Sequence, residues 1–193
     1  MSTYVVVMGT APALRAVGAV TRAAAAAPLV LTLDVGTSSL RTALYDRYGR
    51  AVDDLGARVT YEVTTTADGG VELDADVIVA SAVTAIDDIV QQAGRLAEKI
   101  VAVATDTFWH NMIALDGEGQ PLSPIYTWAD TRATAAAEQL KKELDERAVH
   151  QRTGCVLHAS YWPAKLRWLA ATRPDLMQRA VTWVSIGEYL YLR

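Results

Sequence analysis

An α/β fold is predicted from three features of the chain. Leu29 to Tyr45 reads as two strands around a short polar loop, Asp74 to about Gly94 has helical apolar spacing, and a continuously apolar run, Ile100 to Ala104, follows that helix. Strands joined by a short loop are antiparallel, whereas a strand reached through a helix lies parallel to an earlier one. A mixed sheet with helices against it satisfies all three.

In order, Leu29–Leu33 is an apolar run and Leu40–Tyr45 alternates, so both fit strands. Gly49–Val63 supplies a third, with Ala57, Val59, Tyr61 and Val63 at alternate positions, completing a meander. Thr64–Gly70 is a surface loop, and Asp74 caps a helix whose face is Ile78, Ala82, Ile86, Ile89, Val90 and Ala93. Ile100–Ala104 suits a central strand covered on both faces. Met112–Leu115 is another strand, closed by a turn at Asp116–Gly119. A helix capped by Thr131 then reaches about Val149, with Ala133, Ala136, Ala137, Leu140 and Leu144 inward and Lys141 and Lys142 in solvent. Trp162–Pro163 opens the next helix and Pro174 a shorter one; Val181–Val184 is a strand, and Ser185–Arg193 is helical.

The hydrophobic fraction of 51% and charged fraction of 21% are those of a soluble globular protein, and the net charge of −4 gives no reason to expect nucleic acid. Cys155 is the only cysteine, so no internal disulfide forms and a reducing, cytoplasmic setting is expected. Residues 1–28 contain no acid and read as an Ala-rich, loosely ordered extension, with a helix over Pro12–Ala27 stopped by Pro28. No basic n-region precedes the apolar residues, so this is not a signal peptide. No uninterrupted apolar run reaches about 18 residues, so neither a span nor a membrane partner is expected.

The loop between the first two strands carries Asp34, Gly36, Thr37, Ser38 and Ser39. Backbone N–H groups and hydroxyls there can surround a phosphate, Gly36 can adopt positive φ and lets a ligand approach, and Asp34 at a strand end is placed to hold magnesium through water. An ordinary hairpin would also use Asp, Gly, Thr and Ser simply to turn.

The order of elements is close to half of a ribonuclease H-like (actin-like ATPase) fold, in which the phosphate loop is that first hairpin. Six segments in one order sharpen this: Asp34-Val35-Gly36-Thr37-Ser38-Ser39-Leu40-Arg41, Gly70-Val71-Glu72-Leu73-Asp74, Phe108-Trp109-His110-Asn111, Trp128-Ala129-Asp130-Thr131-Arg132, Thr153-Gly154 with Lys165 downstream, and Glu188-Tyr189-Leu190. Together they resemble the N-terminal domain of the FGGY carbohydrate kinases from about Leu29 to the end, with His158–Lys165 most like gluconate kinases and relatives.

The resemblance implies ATP and Mg²⁺ as cofactors and a sugar or sugar acid as substrate. Asp34 would order the metal; Gly36, Thr37 and Ser38 would face the transferred phosphate, with Arg41 beneath the loop. Trp109, His110, Trp128 and His158 would contact the sugar. Two departures, Trp109 in place of an Arg and Ser160 in place of a Tyr, argue against glycerol; a gluconate-like acid leads, with a ketopentose or a sugar alcohol behind it. His110 as a core histidine, His158 as a loop brace, and Lys165 as either a neutraliser of an acid sugar or a structural pair stay open; Asp130 at a helix start and Trp162, Trp168 and Trp183 read as structural. The resemblance places the general-base Asp and the ATP-binding half beyond Arg193, so residues 29–193 are expected to be an incomplete N-terminal domain, inactive alone. The alternatives are a non-catalytic half that binds a sugar or partner, exposes apolar surface and forms a homo-oligomer, or another actin-like ATPase.

Overall fold

The computed structural model describes residues 18–193. They divide into two compact units, residues 18–62 with Asp76–Phe108 and Val63–Ala75 with Trp109–Arg193.

In the first unit β1 (Leu29–Val35), β2 (Ser39–Tyr45) and β3 (Ala51–Thr60) form the antiparallel meander, and β6 (Ile100–Thr107) joins parallel to β1, giving the order β3-β2-β1-β6. Alternate residues of β1 and β2, among them Leu29, Leu31, Leu33, Leu40 and Leu44, are buried. Against them packs α1 (Ala75–Ala93) through Ile78, Ala82, Ala85, Ile89 and Ala93. Ile78 and Ile89 are each 0% exposed, a burial worth about 2–3 kcal/mol apiece. Thr42 ties helix to sheet, its hydroxyl donating to the Ala85 carbonyl and accepting from Ala57 N–H. With the 3-10 turn that follows it, this helix is long and apolar enough to cross a membrane, but that apolar stripe faces the sheet.

Several expectations are corrected. β6 is an edge strand exposed along most of its length, with Val101 69% and Val103 53% exposed, rather than a covered central strand. An apolar run reads the same whether or not a neighbour covers it. Val90 on α1 is 40% exposed because the buried stripe passes one position away. Of the 1–28 extension, residues 1–17 lie outside the described residues. From Gly18 it is anchored, not loose, and forms turns rather than the Ala-rich helix. Buried Val20 exchanges backbone hydrogen bonds with Ala51 and Asp53, and Arg22 donates to the carbonyls of Asp54 and Gln92.

The second unit holds two small sheets. β4 (Thr64–Thr65), β5 (Val71–Leu73) and β8 (Ile125–Tyr126) run in the order β4-β5-β8, so the expected surface loop is a tight hairpin. β7 (Ile113–Leu115) pairs with β9 (Thr182–Val184). The single helix expected to Val149 is two, α2 (Thr134–Glu143) and α3 (Glu146–Thr153), because the Asp145 carboxylate caps the second by accepting from Arg147 and Ala148 N–H. Thr131 does not cap α2; its hydroxyl donates to the Gly69 carbonyl. α4 (Trp162–Thr172), α5 (Pro174–Arg179) and α6 (Ile186–Leu192) complete the unit, α6 starting at a Ser185/Glu188 capping box. Leu169 and Leu176 pack with Met112, Ala114 and Tyr126, and Trp162, Trp168 and Trp183 close around them as core residues.

Candidate functional site

In the first unit Asp34 is the penultimate residue of β1 and Arg41 stands opposite it on β2, so their side chains share a face. The Arg41 guanidinium meets the Asp34 carboxylate at 2.6 Å, both side chains being exposed (62% and 41%). A surface pair of this kind contributes roughly 0–1 kcal/mol and exchanges easily for another cation. Arg41 therefore acts on the carboxylate itself rather than from beneath the loop. Asp106 lies in register beside Asp34 on β6.

The turn closes when Gly36 N–H donates to the Ser39 carbonyl at 3.0 Å. Gly36 is not in the positive-φ region; a Cβ there would stand 3.1 Å from the same carbonyl, so close approach is what favours glycine. Ser38 is exposed and Thr37 half-buried. Tyr61, unassigned from sequence, clasps this loop: its hydroxyl donates to the Gly36 carbonyl and its N–H to the Ser38 carbonyl at 3.3 Å. Burial, with the Asp34 charge adding, pushes the phenol above the ordinary tyrosine range, so it stays a donor.

The second unit gathers the other predicted residues. Trp109 is 76% and Trp128 50% exposed, an unusual state for large rings unless they meet a ligand or another surface. His110 adopts φ +62° and sets its ring edge-on to Tyr161 at 4.4 Å. Burial first, then the charges of Lys165 and His158, lowers its pKa, so its imidazole is neutral at neutral pH. His158 braces its loop, Nδ1 accepting from Ser160 N–H at 3.1 Å, while the Ser160 hydroxyl donates to the Trp128 carbonyl at 2.7 Å. Trp128, Thr131, Glu138, Lys141, His158 and Ser160 line a cleft of about 520 Å³. Trp109 and His110 are not among its lining residues.

One part-buried and one buried cation hold this wall. Arg132 donates to Asp130 and Glu72, both at 2.5 Å, and lies 4.7 Å over the Trp168 ring. Burial opposes its charge, but those hydrogen bonds outweigh it and raise its pKa above the ordinary arginine value. Asp130 is thus a partner of Arg132 rather than a helix-end charge. Gly70 belongs to the same clamp, since a Cβ there would approach Arg132 Cζ to 2.7 Å. Lys165 is 1% exposed and neither meets a carboxylate nor opens to a ligand; it bonds to backbone carbonyls only. Burial lowers its pKa to about 8, Asp130 offsetting and Arg132 adding, which leaves it cationic at neutral pH. Among the described residues no group of three or more potential metal ligands occurs.

The model for the FGGY family of carbohydrate kinases, N-terminal domain, matches residues 29–193. Gluconokinase from Bacillus subtilis is 26% identical over 84% of this chain and 31% of its own. The crystal structure of gluconate kinase from Lactobacillus acidophilus aligns with a TM-score of 0.78 at 27% identity, over 85% of this chain and 32% of the other. Ligand-bound xylulose kinase from the same organism aligns at 0.79 and 27% identity, over 86% and 33%. The chain spans about a third of the length of the relatives it matches. The fold is accordingly that of the actin-like sugar kinases.

Proposed function

Because the chain belongs to the FGGY family of carbohydrate kinases, we propose that it forms part of an enzyme that transfers a phosphoryl group from ATP to a hydroxyl of a gluconate-like sugar acid or a ketopentose. Its own share is the phosphate loop and one wall of the sugar pocket, on residues 29–193 as an incomplete N-terminal domain. The observation that carries this reading is the half-exposed Asp34 carboxylate near the carboxyl end of β1, one residue ahead of a Gly-Thr-Ser turn clasped by Tyr61.

Phosphoryl transfer needs the transferring oxygens neutralised, the acceptor hydroxyl oriented and its proton removed. A half-exposed carboxylate fits magnesium, which keeps most of its waters and takes one or two protein carboxylates alongside phosphate oxygens. Asp34 would hold it, and the ion would supply charge neutralisation. Thr37 and Ser38 would donate to phosphate oxygens, and Arg41 would add positive charge once released from Asp34. A neutral His110 offers both a donor and an acceptor to sugar hydroxyls, and Trp128 an apolar plane for the carbon face. The resemblance implies a general base outside the matched segment, so the chain alone is expected to be inactive, in a cytoplasmic setting.

Calorimetry of the 193-residue chain against D-gluconate, D-xylulose and glycerol, with a coupled assay for ATP consumption, tests the reading. Binding of gluconate or xylulose but not glycerol, without turnover, is expected. Turnover by the chain alone, or preference for glycerol, contradicts it. The bare β6, with Val101 and Val103 exposed, favours a second reading, a non-catalytic half that associates with a copy of itself or a partner. Concentration-dependent elution in size-exclusion chromatography without sugar binding is its signature.

A further inference from the structure

Lys165 sits on α4 beside buried Ala164, with Leu169, 0% exposed, one turn on. Its ammonium donates to the carbonyls of Thr127 at 2.6 Å, His110 at 2.9 Å and Ser160 at 3.0 Å. An ammonium has three N–H donors and no acceptor, so all of its hydrogen-bonding capacity is used and none remains for a ligand. The acceptors belong to three separate loops. One is His110 itself, one immediately precedes Trp128, and one lies two residues after His158. Packing does not call for a cation here, because a methionine of similar length would fill the space without the desolvation that a buried charge incurs. What only the ammonium provides is a common point to which three loops are fixed at once. Tyr161 follows the same logic, its ring edge-on to His110 at 4.4 Å and to His158 at 6.1 Å.

We propose that Lys165 is the positioning residue of this wall: its ammonium sets the placement of the His110, Trp128 and His158 loops relative to one another and thereby the fit of the sugar. The sugar clause rests on the function proposed above; the coupling of the three loops does not. The test compares the full chain with Lys165→Met, Lys165→Gln and, as a control that destabilises the same helix, Leu169→Ala. Hydrogen exchange followed by mass spectrometry should show peptides over 108–112, 126–130 and 158–161 exchanging at least tenfold faster together in Lys165→Met, with β7 and β9 unchanged. Leu169→Ala should not reproduce that joint pattern. Lys165→Gln, which keeps two donors, gives the same comparison should the methionine variant unfold, and is expected to quicken at least one of the loops. Acceleration of none of them, the same pattern in Leu169→Ala, or collapse of both lysine variants overturns the proposal, the last by assigning Lys165 to the fold as a whole. Folded Lys165→Met should also bind D-gluconate at least tenfold more weakly, with Leu169→Ala within twofold. If the unsubstituted chain binds no sugar, the reading of the wall fails while the exchange pattern still decides the role of Lys165.

Discussion

The loop of the first unit that we propose for phosphate and the wall of the second that we propose for sugar are held by opposite means. Asp34 to Ser39 is a local hairpin turn, steadied by one tyrosine and an exposed ion pair. The wall is assembled from segments far apart in sequence and bound by two cations, part-buried Arg132 through carboxylates and buried Lys165 through carbonyls. A loop proposed to take up a polyanion and a metal needs a carboxylate that changes partners cheaply. A surface that distinguishes sugars by a few hydroxyl contacts works only if its planes and donors are fixed.

Substitutions should show that contrast, most strongly on the wall. Arg132→Met leaves the carboxylates of Asp130, 2% exposed, and Glu72 without a cation; a loss of about 3 kcal/mol in urea unfolding is expected. A loss under about 1 kcal/mol would mean that the clamp is dispensable. Gly70→Ala forces Arg132 aside and should cost about 1–3 kcal/mol, with the near-ultraviolet signal of Trp168 changing in step. On the loop side, Tyr61→Phe removes one hydroxyl donor, an effect of about 1 kcal/mol, with faster amide exchange confined to residues 36–39. Arg41→Gln is the mildest change: the pair is exposed, so thermal unfolding should shift by less than about 0.5 kcal/mol in equivalent stability, and high salt should erase even that. A loop-side effect larger than the wall-side ones would invert the comparison.

The same contrast explains what was legible in the sequence. The hairpin could be read because everything it needs is local: an apolar strand, a turn of small polar residues, an alternating strand. The Trp128–Arg132 segment could be recognised as a pattern, but that Arg132 bridges Asp130 to Glu72 depends on contacts 60 residues apart that no local rule exposes. Lys165 was singled out only by the family resemblance, and its acceptors are main-chain carbonyls, which leave no trace in residue identity. β6 was misplaced because burial of a strand depends on its neighbours, and the α2–α3 break was missed because Leu144 continues the helical spacing that the Asp145 cap overrides.

The central claim is that this chain contributes a sugar wall on one unit and a phosphate loop on the other. The most direct measurement is a titration of the ¹⁵N-labelled chain with D-gluconate, and separately with MgATP, followed by amide chemical shifts. The account predicts sugar-dependent shifts around Trp109–His110, Trp128 and His158–Ser160, and nucleotide-dependent shifts around Asp34–Ser39. Sugar shifts scattered elsewhere, or none with gluconate or D-xylulose at millimolar concentration, would contradict it.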